Sequence, residues 1–318
     1  MTRYLVTGGA GFIGSHLARG LVTAGHDVVV LDNLSTGRLE NLADVRDRLR
    51  FVEGSITDLD TVEACCEGVD CVFHQAALPS VPRSVADPLA SDEHNVGGTL
   101  RVFWAAHRRG VRRVVYASSS SVYGNTEELP KHEGLRRRPM SPYAVNKAVG
   151  ELYGAVFDDL YGLSTVGLRY FNVFGPWQDP NSQYAAVVPK FITAFLAEQA
   201  PVIHGDGLQS RDFTYVQNVV EANLAAAAAP PSAGGRAYNI ALGGRVTVKE
   251  LCERIRVLVG AEVRPRHEEN RAGDVRHSQA AVDLAREHLG YTGSVSLDDG
   301  LEQTVAWYRK RTAHGGQA

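Results

Sequence analysis

The stretch that decides the fold is Tyr4-Leu5-Val6-Thr7-Gly8-Gly9-Ala10-Gly11-Phe12-Ile13-Gly14. An apolar run of strand character meets three glycines spaced GxxGxxG, and an amphipathic pattern over 12–24 follows at once. Gly8 permits a tight turn, Gly11 lets backbone approach a bound group, and Gly14 lets a helix pack against the strand. The start of such a helix offers free N–H groups and a partial positive charge, which suits a pyrophosphate. An isolated glycine pattern is weak, since turns everywhere use glycine. Here the context supports it: Asp32 closes the next apolar run, 18 residues past Gly14. A carboxylate there accepts from both hydroxyls of an adenosine ribose and repels a 2′-phosphate, so NAD is expected rather than NADP. Arg38 is the counter-argument, lying near enough to meet a phosphate. Asp58 has two equal readings, a contact to the adenine edge or the N-cap of a following helix.

Working outward, short apolar runs at 28–31, 71–74, 114–117 and 164–169 alternate with helical patterns at 100–109 and 143–161. This alternation predicts an α/β fold, a doubly wound parallel sheet of Rossmann type. After about residue 172 the pattern changes, with helices expected near 185–198, 217–228, 248–259 and 296–310. The expected division is a dinucleotide-binding core over 1–172, to which later segments return, a smaller mixed α/β substrate lobe over 173–311, and a frayed tail over 312–318.

A second constellation carries chemistry. Tyr143 and Lys147 stand at i and i+4 on one helical face, where an ammonium would stabilise a phenolate. Ala117-Ser118-Ser119-Ser120-Ser121-Val122-Tyr123-Gly124 puts hydroxyls at the carboxyl end of a strand, where open α/β sheets bind ligands. A serine there can hydrogen-bond a substrate oxygen that the tyrosine deprotonates. Either motif alone is common by chance; together with the glycine loop they are specific.

Composition limits the alternatives. Of 318 residues, 44% are hydrophobic and 22% charged, an ordinary globular mixture, and the formal charge is −3, which exerts no global pull on nucleic acid or anionic membrane. The four cysteines form no CxxC pair and no histidine cluster accompanies them, so neither a metal site nor a disulfide framework is expected, and a cytoplasmic location is. No segment is long and apolar enough to read as a membrane span. The basic groups Arg108, Arg109, Arg112, Arg113 and Arg136, Arg137, Arg138 read as solvated surface.

In this order and spacing the motifs resemble the extended short-chain dehydrogenase/reductase family, and within it the nucleotide-sugar epimerases. Further carriers are His74-Gln75-Ala76-Ala77, Leu168-Arg169-Tyr170-Phe171-Asn172-Val173-Phe174-Gly175, Ser210-Arg211-Asp212-Phe213 and Arg271-Ala272-Gly273-Asp274. The resemblance implies Ser119, Tyr143 and Lys147 as catalytic residues. It implies cofactor contacts from Gly8, Gly11, Phe12, Ile13, Gly14, Asp32, Asn33, Ile56, Asp58, Gln75, Ala76, Ala77, Tyr143, Lys147 and Tyr170. For a UDP-sugar it implies Arg83, Ser119, Ser120, Ser121, Asn172, Val188, Arg211, Arg271, Asp274 and Ser278, with the arginines at 211 and 271 clamping the nucleotide diphosphate.

The implied reaction is inversion at C4 through a 4-keto sugar, with NAD consumed and regenerated in each turnover. The dehydratase branch carries Asp-Glu where this chain has Ser120-Ser121, and hydroxyls cannot replace that acid and base. Ser278 stands where relatives restricted to plain hexoses have a bulky residue, so an acetamido group would fit. UDP-glucuronate epimerases are the alternative, although Trp177 and Asp179 depart from their arginine-bearing loop. A non-catalytic NAD sensor has no need of a tuned phenol. The resemblance further implies a homodimer packed through the helices at 100–109 and 143–161.

Overall fold

The computed structural model describes residues 2–180, 187–269 and 275–313. At its centre are seven parallel strands: β1 (Arg3–Thr7), β2 (Asp27–Asp32), β3 (Arg50–Glu53), β4 (Cys71–His74), β5 (Arg113–Ser119), β6 (Ser164–Tyr170) and a last one, Arg236–Ile240. The order across the sheet is β3-β2-β1-β4-β5-β6 and then Arg236–Ile240. Chain direction along that order reverses between β1 and β4. Their carboxyl ends therefore splay their connections apart and open a crevice, the usual ligand position in such sheets.

Both faces are covered because the central strands are buried on both sides. Val6, Val28, Val30 and Val115 pack with helix α1 (Phe12–Thr23) and helix Val216–Ala228. Leu5, Val29, Val72 and Val114 pack with α2 (Leu59–Cys66) and helices Thr99–Arg108 and Pro142–Tyr161. A separate apolar cluster holds the C-terminal lobe, where Phe174, Phe191, Phe195, Leu251, Ile255 and Tyr308 join helices Val187–Leu196, Val248–Val259 and Leu297–Ala313. Three two-stranded pairings complete it, two parallel and one antiparallel.

Three differences from the sequence reading have plain causes. Strands β3 and Arg236–Ile240 were not expected, since Arg-Phe-Val-Glu and Arg-Ala-Tyr-Asn-Ile lack a continuous apolar run; each lies at a sheet edge. Helix Leu297–Ala313 continues through Thr312, whose hydroxyl donates to the Tyr308 carbonyl, so the chain is helical to Ala313 rather than frayed from 312. Arg113 is not solvated surface, whereas Arg137 stays exposed, as expected, while pairing with a buried carboxylate. Arg113 is buried and donates to the Ala226, Ala229 and Pro230 carbonyls, capping the end of helix Val216–Ala228. Arg137 donates to the buried carboxylate of Glu151 at 2.6 Å.

Candidate active site

Gly8 adopts φ +68°, and its N–H donates to the Leu31 carbonyl at 2.7 Å, which ties the loop to β2. A Cβ at Gly8 would lie 2.6 Å from the Ala76 nitrogen, and one at Gly14 2.1 Å from the Gly8 carbonyl oxygen. Glycine is therefore forced at both positions by backbone contact. Gly11 caps α1 without any side-chain acceptor, so the first-turn N–H groups keep their capacity for a phosphate. Asp32 is buried; Oδ2 accepts from Ala10 N at 2.9 Å and Oδ1 from Leu34 N at 2.8 Å. Burial pushes its pKa up, opposed by those two bonds, and the fixed oxygens face the cavity.

Beneath the loop, His74 links β4 to its neighbours. Its Nε2 meets the Thr99 hydroxyl at 3.0 Å, and that hydroxyl donates to the Asn95 carbonyl, so Nε2 carries the proton. Nδ1 then accepts from the Thr7 hydroxyl at 2.7 Å, and Thr7 Oγ1 accepts from Ala76 N at 3.3 Å. Burial holds the ring neutral, with a pKa near 3. Gln75, Tyr170 and Asn223 hydrogen-bond one another, and Gln75 and Tyr170 line the cavity.

Every residue expected at the cofactor, with one exception, lines a single cavity at the switch point: Gly8, Gly11, Phe12, Ile13, Gly14, Asp32, Asn33, Ile56, Gln75, Ala76, Ala77, Tyr143, Lys147 and Tyr170. The exception is Asp58. It caps α2, accepting from Asp60 N and from the Thr61 hydroxyl, while its neighbour Ile56 faces the cavity. Thr36, Gly54, His94 and Ser118 also line it and were not singled out in the sequence. Only Ser118, inside the serine run, carried any signal there. The glycine cradle and the doubly bonded Asp32 fit a dinucleotide with free ribose hydroxyls.

Ser119 ends β5 and accepts from Ser121 N at 3.2 Å; its side chain lies near enough to the Tyr143 phenol to oppose the effect of burial on it. Ser141 caps the next helix through Ala144 N, with Pro142 in the first turn, and Tyr143 N donates to Ser84 Oγ at 3.0 Å. Lys147 Nζ lies 5.8 Å from the Tyr143 ring centre. One expectation is corrected here. Burial pushes the Tyr143 phenol up to about 12, and Ser119 opposes this without overcoming it. Burial likewise lowers Lys147 to about 8. In the ligand-free protein burial dominates, and the phenol is neutral at pH 7.

Of the residues expected at a substrate, Ser120 and Ser121 form the turn after Ser119, and the buried Ser121 hydroxyl has no hydrogen-bond partner. Arg83 lies in the short helix Val81–Ala86 beside the cleft. Asn172 donates to the Asp212 carbonyl at 3.0 Å. Arg211 donates to the Ser210 carbonyl, and Ser278 N to that same oxygen at 3.0 Å. Val188 is buried in the C-terminal core, where its side chain packs with Phe191 and Phe195. Arg271 and Asp274 lie outside the described residues. Asp179 pairs with Arg38 at 2.8 Å.

Sheet, glycine cradle and Ser/Tyr/Lys group together define a dinucleotide-dependent enzyme of the extended short-chain dehydrogenase/reductase class. Residues 4–241 match the family model of the NAD dependent epimerase/dehydratase family, and the chain belongs to that family. It is 41% identical to a UDP-glucose 4-epimerase of Mycolicibacterium smegmatis, over 98% of this chain and 99% of that one. Among solved structures it is similar to a UDP-N-acetylglucosamine 4-epimerase from Methanobrevibacter ruminantium M1 in complex with UDP-N-acetylmuramic acid, with TM-score 0.91, 40% identity and coverage of 98% and 99%. A UDP-glucose 4-epimerase from Thermotoga maritima with UDP-glucose gives TM-score 0.93 at 37% identity, covering 98% and 100%.

Proposed function

We propose that this NAD-dependent enzyme inverts C4 of a UDP-hexose through a 4-keto sugar. UDP-N-acetylglucosamine and UDP-N-acetylgalactosamine are the preferred pair, with UDP-glucose and UDP-galactose also accepted. The observation that carries this reading is the meeting of Tyr143 and Lys147 at the cofactor cavity, with Ser119 at the end of β5 close to the Tyr143 phenol and hydroxyls at Ser120 and Ser121 in the turn that follows. Loss of water from the sugar would need a titrating acid and base at those two positions.

The cofactor would be held by the glycine loop, Asp32 and Lys147. When bound it supplies a reversible two-electron acceptor for C4 and, in its oxidised form, a positive ring charge. A cation brought against Tyr143 lowers the phenol pKa, which burial alone has raised. Tyr143 then takes the 4-hydroxyl proton while Ser119 holds the same oxygen. Lys147, fixed from below, stabilises the phenolate. Arg211, with Arg271 as its sequence partner, clamps the diphosphate, so the keto sugar can swing about that link and present its other face. Tyr143 returns the proton there.

Ser278 supports the acetylated substrates: it is small, buried and pinned to Ser210, leaving room that a ring would fill. The exposed apolar side chains of Trp104, Leu152, Val156, Leu160 and Tyr161 support a homodimer through their two helices, and a monomer in solution scattering would oppose it. Four buried free thiols suit the cytoplasm. The test is incubation of the holoenzyme with acetylated, plain and uronic UDP-sugars, resolving C4 epimers by NMR. Interconversion of the acetylated pair is expected. Failure to interconvert any UDP-hexose would overturn the reading.

A further inference from the structure

Glu151 lies one helical turn past Lys147 and two past Tyr143, on the same helix face. It is buried, and four donors converge on its carboxylate: Ser118 Oγ at 2.6 Å, Arg169 Nε at 2.8 Å, Arg169 Nη2 at 2.7 Å and Arg137 Nε at 2.6 Å. Burial would raise its pKa, but the bonds and charge of Arg169 prevail and hold it below the usual carboxylate range. Arg169 is itself buried, and its Nη1 donates to Tyr123 Oη at 2.7 Å; that hydroxyl donates onward to Asn239 Oδ1 at 2.7 Å. Ser118 and Tyr123 bracket the turn that presents Ser119. Both ends of that turn are thus tied to one ion cluster, and the cluster is rooted in the Tyr143 helix.

The Arg137 loop closes over the same turn. Arg138 N donates to the Val122 carbonyl at 2.9 Å, and a Cβ on Gly124, at φ +60°, would lie 1.9 Å from the Arg138 carbonyl oxygen. Ions are a costly way to fill a core, since apolar groups of equal volume usually do as well or better; what they add is directional register. We infer that Glu151, held by Arg169 and Arg137, is a positioning residue that sets the Ser119 turn in register with the Tyr143 helix. The inference rests on the reading of Ser119 and Tyr143 given above.

Glu151→Gln would leave two guanidiniums unpaired and can fail to fold, so the decisive variant is Ser118→Ala, which cuts the tether and leaves every charge paired. In the holoenzyme kcat should fall about tenfold while KM stays within about twofold, because a displaced hydroxyl acts on the transition state rather than on binding. Because Ser118 also lines the cofactor cavity, rates are compared at saturating NAD, and Ser118→Thr should restore most of kcat. Tyrosine labelled at Cζ gives a readout free of substrate: the Tyr143 resonance should shift in Ser118→Ala and return in Ser118→Thr. An unmoved Tyr143 resonance, or a loss carried by KM at saturating NAD, would overturn the inference. If the wild-type enzyme inverted no UDP-hexose, the proposed function would fall, and the Tyr143 resonance would still decide the role of Glu151.

Discussion

Lys147 Nζ donates to the carbonyl oxygen of Ala117 across 2.8 Å, joining the Tyr143 helix to the end of β5. The ammonium is therefore anchored before any ligand arrives, at a place where burial makes its charge expensive. Its pKa, about 8, lies below the ordinary lysine value, so the unfolded chain binds the proton more tightly than the native one. That penalty is complete below pH 8 and disappears above the unfolded pKa.

Lys147→Met should accordingly stabilise the NAD-free protein at pH 7 by about 2 kcal/mol, after allowing for the lost bond to Ala117. Turnover should drop by at least about a hundredfold. Urea unfolding and steady-state rates measure the two effects. A destabilised Lys147→Met protein would show that desolvation is not the dominant force on this lysine.

His74 shows the same linkage in a lower pH window. Its native pKa, about 3, lies below the unfolded histidine value, so its contribution is present above about pH 6.5 and is lost as pH falls. Between pH 7 and 5 it should cost the wild type about 2 kcal/mol. His74→Asn removes that slope, which unfolding curves at the two pH values would reveal. Equal slopes in variant and wild type would contradict the neutral, doubly bonded ring.

Gly14 and Gly20 share α1 but differ in surroundings. A Cβ at Gly14 meets the Gly8 carbonyl oxygen at 2.1 Å, whereas one at Gly20 finds only Val220 Cγ1, at 3.5 Å. Gly14→Ala should destabilise by about 2–3 kcal/mol and purify without NAD. Gly20→Ala should gain a few tenths of a kcal/mol and keep it. Absorbance of released cofactor separates the two.

Ser278→Tyr should narrow the substrate range. Interconversion of the acetylated sugars should fall at least about tenfold relative to UDP-glucose and UDP-galactose, because the ring fills the space an acetamido group needs. An unchanged ratio would place the acetyl group elsewhere.

How far the residues alone reveal these features depends on the range of the forces involved. The phosphate loop was legible because Gly8 and Gly14 each sit where backbone excludes a side chain, and that constraint is local. Tyr143 and Lys147 were legible from helical spacing, but the rise of the phenol pKa was not, since desolvation depends on the whole cleft. Asp58 could be read two ways because an N-cap and a ligand contact ask for the same carboxylate. Arg113 looked like surface because its partners, the carbonyls at 226–230, lie far off in sequence, and the exposed Arg137 gave no sign of its pairing with Glu151. The edge strand Arg236–Ile240 has only part of an apolar run, and pairing with β6 supplies the rest.

The central claim is an internal cycle in which C4 loses and regains the same hydrogen while Tyr143 holds and returns the proton. A UDP-sugar deuterated at C4, incubated with the holoenzyme in ordinary water, tests it most directly. The account predicts inverted sugar of unchanged mass that keeps its deuterium at C4. Label lost to solvent, or a product lighter by one water, would contradict it.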